Sequence, residues 1–408
     1  METKTYKLDS LCEITSSKRI FYSEYTESGI PFFRSKEIID LFNKNNIATE
    51  LFISKDRYNE IKNKFGVPEK DDMLLTSVGS IGIPYLVKSS DKFYFKDGNL
   101  TWFRNYNRKL IVPLYLYLWT TSSVGKETLM RLSMGAAQPA LTISRLKNLS
   151  LNLPSVSVQQ KIASILSTYD RLIENNTRRI RLLEQMAENL YKEWFVRFRF
   201  PEHENVEIVN GLPKGWERTK LIKNIKTSSG GTPSRNKGEY YKNGTIPWIK
   251  TGELQDCILI NTEECITEDA VKNSSAKLFP KGTLLMAMYG VNVGKLGISE
   301  IEATCNQACC VFTPKHIDYR YYLFHYLKSI REYLLSISFG AAQQNLSQEL
   351  IKSIRVLFPD EETNISFVKE VQPLFKEISI IQQQNQLLTR QRDLLLPRLM
   401  SGKLEVKS

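Results

Sequence analysis

The sequence predicts an α+β protein made of two similar globular units, each followed by a long helix, with the two helices zipped into a coiled coil. Three observations predict it: an amphipathic stretch at 157–198, a second apolar stripe at 365–396, and an internal repeat that carries one half of the chain onto the other.

In the first stretch, apolar residues fall at Ile162, Ile165, Tyr169, Leu172, Leu183, Met186, Leu190 and Trp194, with helical steps of three and four inside each run. Ser157 with Gln160 three residues on reads as a capping box, and Pro201 as the stop. About 42 residues at 1.5 Å each make a rod on the order of 60 Å, too long for one small core to cover. It needs a partner along its length.

The second stripe supplies one, through Val368, Val371, Phe375, Ile378, Ile381, Leu388 and Leu395. The expected pairing residues are Ile165, Tyr169, Leu172, Asn176, Leu183 and Leu190 on the first helix, with Val371, Phe375, Ile378, Asn385, Leu388 and Leu395 on the second. Asn176 and Asn385 lie on or beside the seam, where a polar residue costs stability and specifies register. Pro373 interrupts the second stripe and challenges its continuity.

The repeat is ordered along the chain. IPFFRSKEI at 30–38 is echoed by IPWIKTGEL at 246–254, MLLTSVGSIG at 73–82 by TLLMAMYGVNVG at 283–294, and SMGAAQPAL at 133–141 by SFGAAQQNL at 338–346. Gln138 and Gln343 are 205 residues apart, as are Pro154 and Pro359. A tandem duplication follows, with expected boundaries at 1–155 for the first globular unit, 156–200 for its helix, 201–360 for a linker and the second unit, and 361–408 for the second helix and tail. Glycine-punctuated apolar runs give strands, and 112–131 and 319–336 read as helical.

Composition bounds the function. With 42% hydrophobic and 25% charged residues the chain is an ordinary folded protein, and 56 Lys+Arg against 44 Asp+Glu leaves +12, the electrostatic footprint of a polyanion partner. The longest apolar run, LIVPLYLYLW at 110–119, is half of a bilayer crossing, so no membrane partner is expected. Six scattered Cys without an apolar leader read as reduced thiols of a cytoplasmic protein.

The common catalytic motifs are absent: no P-loop, no Gly-rich dinucleotide fingerprint, no His-Glu-x-x-His and no Gly-x-Ser-x-Gly. No catalytic residue is assigned. Cys305, Cys309 and Cys310 lack a second pair at ligand spacing and read as small buried side chains on a strand, so no metal site is expected. What remains are Gly turns after apolar runs, flanked by phosphate- and base-binding side chains. Arg34, Lys36, Ser77, Ser80 and Gln138 in the first half, with Lys250, Tyr289, Asn292, Lys295 and Gln343 in the second, are the candidate DNA-binding residues.

Taken together, QQKIASILSTYDRLIENN at 159–176, LYKEWFVRFRFP at 190–201, GLPKGW at 211–216 and LLLPRLMSGKLEV at 394–406 resemble the specificity (S) subunits of Type I restriction-modification enzymes. The resemblance covers the whole chain, although the first half has no GLPKGW-like opening and a shorter Gly turn. It implies two target recognition domains, each reading half of a bipartite, asymmetric double-stranded DNA site, and an antiparallel helix pair as spacer. It implies no active site and no bound cofactor on this chain. The partners it implies are two modification subunits, adenine methyltransferases using S-adenosylmethionine, and restriction subunits driven by ATP and Mg. Tyr191, Trp194 and Phe195 are the expected contacts for those subunits or for the adjoining domains. The alternative from residues alone is a helical-hairpin scaffold whose globular units bind proteins.

Overall fold

The computed structural model describes residues 2–43, 45, 47, 49–134, 139–315, 318–337 and 345–406. Two compact units form, one from 1–172 with 388–408 and the other from 173–387, so each long helix contributes to both.

In the first unit, Lys4–Lys7 pairs antiparallel with Ser150–Leu153, so the strand that opens the unit lies against the strand that leads into the helix. One four-stranded sheet runs in the order Glu13–Thr15, Leu100–Arg104, Met73–Thr76, Pro84–Leu86, and a second four-stranded sheet, small because its strands are shorter, in the order Tyr25–Thr26, Phe52–Ile53, Ile30–Phe33, Tyr94–Phe95. Met73–Thr76 is buried throughout because it is sandwiched: Met73 and Leu75 enter one apolar cluster and Leu74 another, the two-residue alternation of a strand with a core on each face.

The second unit repeats this plan. Glu217–Lys220 pairs with Arg355–Phe358, each of the latter 205 residues beyond its counterpart in Ser150–Leu153. The larger sheet has five strands, in the order Ile225–Ser229, Cys309–Pro314, Leu284–Ala287, Leu296–Ser299, Cys257–Leu259. The small sheet is Cys265–Ile266, Ile246–Ile249, Thr304–Cys305. Leu284 and Met286 again enter one core while Leu285 and Ala287 enter another.

The stretches expected as single helices at 112–131 and 319–336 are each two: Pro113–Thr121 and Ser123–Ser133, then Arg320–Ser329 and Arg331–Ile337. Ser122 caps the second helix of the first pair by accepting from the Gly125 amide, and a Cβ on Gly125 would sit 1.9 Å from the Trp119 carbonyl oxygen. Only glycine fits that tight break.

The first long helix runs Val156–Tyr191 and closes with a π-helical turn, Lys192–Val196. It starts ahead of the expected Ser157–Gln160 box. The buried glutamine is Gln159, whose side chain accepts from the Val112 amide and donates to the carbonyls of Leu110 and Pro154. The second long helix, Glu361–Met400, continues through Pro373. Pro373 is on the exposed side, where water can take the carbonyl that a proline leaves unbonded.

The covered stripe of the first helix runs Ile162, Leu166, Tyr169, Ile173, Asn176, Ile180, Leu183, Ala187, Leu190 and Trp194, an unbroken alternation of four and three. Ile165, Leu172 and Met186 are exposed instead. Each has an apolar neighbour one residue on, Leu166, Ile173 and Ala187, and the packing selects that neighbour, so Ile165 and Leu172 are removed from the pairing set. Tyr169, Leu183, Leu190, Leu388 and Leu395 are half-buried, and Val371, Phe375 and Ile378 are fully buried in the second unit's core.

The pairing is antiparallel in each unit. In the second, Asn176 meets Asn385 at 2.9 Å and Arg179 meets Glu377 at 2.9 Å, the partner's number falling as the first rises. In the first, Asp170 meets Arg392 at 2.7 Å while Ile162 and Leu166 share a cluster with Leu399.

Candidate functional site

Each unit presents a cation just past the end of an inner strand of its small sheet. Arg34 follows Ile30–Phe33, its amide donating to Glu37 at 2.7 Å and its guanidinium paired with the same buried carboxylate at 2.8 Å. Lys250 follows Ile246–Ile249, its amide donating to Glu253 at 3.1 Å and its ammonium paired with Glu263 at 2.8 Å. The hydrogen bond to Glu263 is the main reason the Lys250 ammonium titrates above its ordinary value. Lys36 is exposed beside Arg34.

The glycine turns stand at the ends of the sandwiched strands. In the second unit Gly290 has φ +86° and Gly294 φ +77°, the left-handed backbone that a side chain strains. Asn292 fastens this turn by donating to the carbonyls of Thr251 and Gly252, both at 3.1 Å, which places the turn against the segment that follows Lys250. Val291 is fully exposed at the tip and Tyr289 is 40% exposed. Lys295 faces inward, 3.2 Å from Asp256, which Arg331 also binds. Burial would raise the Asp256 carboxyl, but Arg331 and Lys295 outweigh it and hold it below the usual carboxylate range.

In the first unit Gly79 and Gly82 take φ +75° and +82°, and Ser80 is exposed between them. Ser77 is buried with its hydroxyl 2.6 Å from that of Thr101, so it is a structural tie and leaves the candidate set. Gln138 and Gln343 lie outside the described residues. The residues that follow them dock at the glycine turns: the Leu141 amide donates to the Ser77 carbonyl and the Leu346 amide to that of Met288.

Residue patterns missed one arrangement. Tyr241 and Trp248 form an edge-to-face pair, centroids 5.9 Å apart, and the guanidinium of Arg235 lies 4.3 Å from the first centroid and 4.9 Å from the second. Glu264 holds Arg235 from the side at 2.8 Å. The matching pair in the first unit is Tyr25 with Phe32, at 5.2 Å. The signal was present in the repeat, since Tyr25 to Tyr241, Phe32 to Trp248 and Arg34 to Lys250 are all 216 residues apart.

Against known families, residues 1–185 and 213–390 match the model of the Type I restriction modification DNA specificity domain, once for each half of the repeat. The chain belongs to this family. Among curated relatives of this specificity-domain chain, the MjaIX specificity subunit of Methanocaldococcus jannaschii is 30% identical over 83% of this chain and 78% of the relative. The HindI specificity subunit of Haemophilus influenzae is 25% identical over 90% and 93%. The crystal structure of a Type I restriction-modification S subunit from M. genitalium superposes with a TM-score of 0.63 at 17% identity, covering 100% of this chain and 97% of that one, which supports the fold.

For this specificity-domain chain the aromatic residues at the end of the first helix need a correction. Tyr191, Trp194 and Phe195 are buried in the second unit's core, where Phe195 packs 4.7 Å from the rings of both Tyr322 and Phe367. Tyr322, His325, Phe367 and Trp216 pack against them, and Trp194 and Phe195 are both buried in the π-helical turn, so they serve the adjoining domain and are unavailable to another subunit. Among the described residues no group of three or more His, Cys, Asp or Glu is placed to hold a metal, and no helix is long and apolar enough to cross a membrane.

Proposed function

We propose that this chain is the DNA-reading subunit of a Type I restriction-modification complex, each globular unit reading one half of a bipartite, asymmetric target. The observation that carries this is the family match to both halves of a repeat whose two units share one scaffold but differ in the side chains at equivalent exposed places. A shared scaffold with different reading groups suits two unlike half-sites. The paired helices set the spacing of the half-sites and dock two adenine methyltransferase subunits, and ATP-driven restriction subunits join through them.

In this reading the chain does no chemistry and binds no cofactor. S-adenosylmethionine, ATP and Mg belong to the partner subunits, and the complex works in the cytoplasm, on chromosomal and incoming DNA. The match to both units favours DNA reading over the protein-scaffold alternative.

Expression with the modification subunit, followed by methylation-aware sequencing of cellular DNA, tests the proposal. A bipartite adenine-methylated motif is expected, and binding of that duplex should fall steeply with salt as counterions are released. Absence of any chain-dependent motif, or binding indifferent to salt, refutes it.

A further inference from the structure

The aromatic pair of the second unit is built as a mount. In the second unit, the Trp248 indole donates to the Gly231 carbonyl at 3.0 Å and the Tyr241 hydroxyl to the Pro233 carbonyl at 2.5 Å. Both rings are thus bonded to the loop that carries Arg235, and the guanidinium lies on their faces with Glu264 along one edge. Its side chain nonetheless remains 52% exposed. Rings, carboxylate and loop together hold a long, flexible side chain in one pose while its outer edge faces solvent.

That pose says which part of DNA it suits. Glu264 neutralises the cation, and Glu263 and Lys250 continue the charge alternation beside it, with Lys250 2.8 Å from Glu263 and 3.6 Å from Glu264. A guanidinium already paired with a carboxylate is a poor choice for a phosphate, which the same carboxylate repels. Glu264 takes one of five N–H donors. The planar fork that remains matches the paired acceptors, N7 and O6, on the major-groove edge of guanine. Rigid support is what a base-reading group requires.

The first unit has a corresponding aromatic pair with a different neighbour. Against Tyr25, partner of Phe32, packs Tyr22, edge-on at 6.3 Å and 90% exposed. Arg19, the residue 216 before Arg235, is instead paired with Asp97 at 3.0 Å, and the exposed side chain against the ring of Tyr25 is the phenol of Tyr22.

We infer that this aromatic pair is a shared platform that presents one base-reading side chain per unit, Arg235 toward a guanine in one half-site and Tyr22 toward the other half-site. The inference rests on the DNA-reading function proposed above and names a specificity determinant for it.

The test is methylation-aware sequencing in cells carrying the full chain and its modification partner, unaltered or as Arg235→Lys, Arg235→Ala or Tyr22→Ala. Both Arg235 variants should relax one G·C position in one half of the motif, discrimination there falling roughly 10- to 100-fold, with the spacer and other half unchanged. Tyr22→Ala should relax the opposite half only. Faithful reading of the untouched half shows, within the same molecule, that the variant has folded and assembled. An unchanged motif in Arg235→Ala overturns the assignment, as does methylation weakened evenly over all sequences, the mark of a lost phosphate contact. Should Arg235→Ala abolish methylation, Arg235→Lys decides: one relaxed G·C position supports the assignment and an unaltered motif overturns it. If the unaltered chain directs no bipartite motif, the DNA-reading function falls first and this inference with it.

Discussion

Asn176 and Asn385 face each other across the helix seam of the second unit, the Nδ2 of the first donating to the Oδ1 of the second at 2.9 Å. The pair sits in an apolar stripe, so each amide depends on the other. Asn385→Leu alone strands the Asn176 amide and should cost about 1 to 3 kcal/mol. Changing both to Leu should recover that loss while loosening register, since a matched polar pair disfavours slipped pairings. Urea unfolding of the two variants beside the unaltered chain measures both effects.

Gln159 is completely buried and makes three hydrogen bonds, two that tie the first turn of the long helix to the loop at 110–112 and one to the Pro154 carbonyl just before the helix. Its counterpart 205 residues on, Asn364, donates to the Asp318 carbonyl, and its own side-chain oxygen has no partner. Gln159→Ala should therefore destabilise by roughly 2 to 3 kcal/mol and Asn364→Ala by less. Thermal melting of each single variant makes the comparison.

His325 is buried against Tyr191, ring centroids 5.5 Å apart, with no hydrogen-bond partner on either nitrogen. Burial, aided by Lys328, pushes its pKa down to about 3. The unfolded chain takes up this proton near pH 6.5 and the folded one only near 3, so stability is intact above the first value and falls as pH drops toward the second. The loss approaches roughly 5 kcal/mol at its limit. His325→Phe should flatten this acid limb and leave the neutral-pH stability equal or higher, as acid titration followed by intrinsic fluorescence would show.

Trp194 packs against Phe367 at 5.7 Å inside the second unit's core. Trp194→Ala should cost about 3 to 5 kcal/mol through the cavity it leaves. A lower melting temperature of the isolated chain is the expected readout. A variant that melts normally yet fails to assemble would restore the subunit-contact role that burial denies it.

The repeat and the two rods were legible in the sequence because period and offset survive substitution: any apolar residue keeps a stripe, and 205 persists from Gln159 to Asn364. The seam was misjudged at Ile165 and Leu172 because adjacent apolar residues satisfy a three- or a four-residue step equally well, and only packing chooses. Ser77 looked like a reader because its type suits DNA, whereas its partner, Thr101, is distant in sequence. Lys250, Asn292 and Lys295 do gather near the glycine turn, but each is already bonded to protein. Arg235 and Tyr22 escaped notice because a mount of two rings emerges only when strand and loop come together.

In both units the entering strand lies beside the departing one, Lys4 opposite Leu153 and Glu217 opposite Phe358. Each reader therefore plugs into its helix through two neighbouring cut points, like a cassette with both terminals on one edge. A unit swapped at those two points would keep both terminals in register with its rod, so the exchange disturbs neither helix.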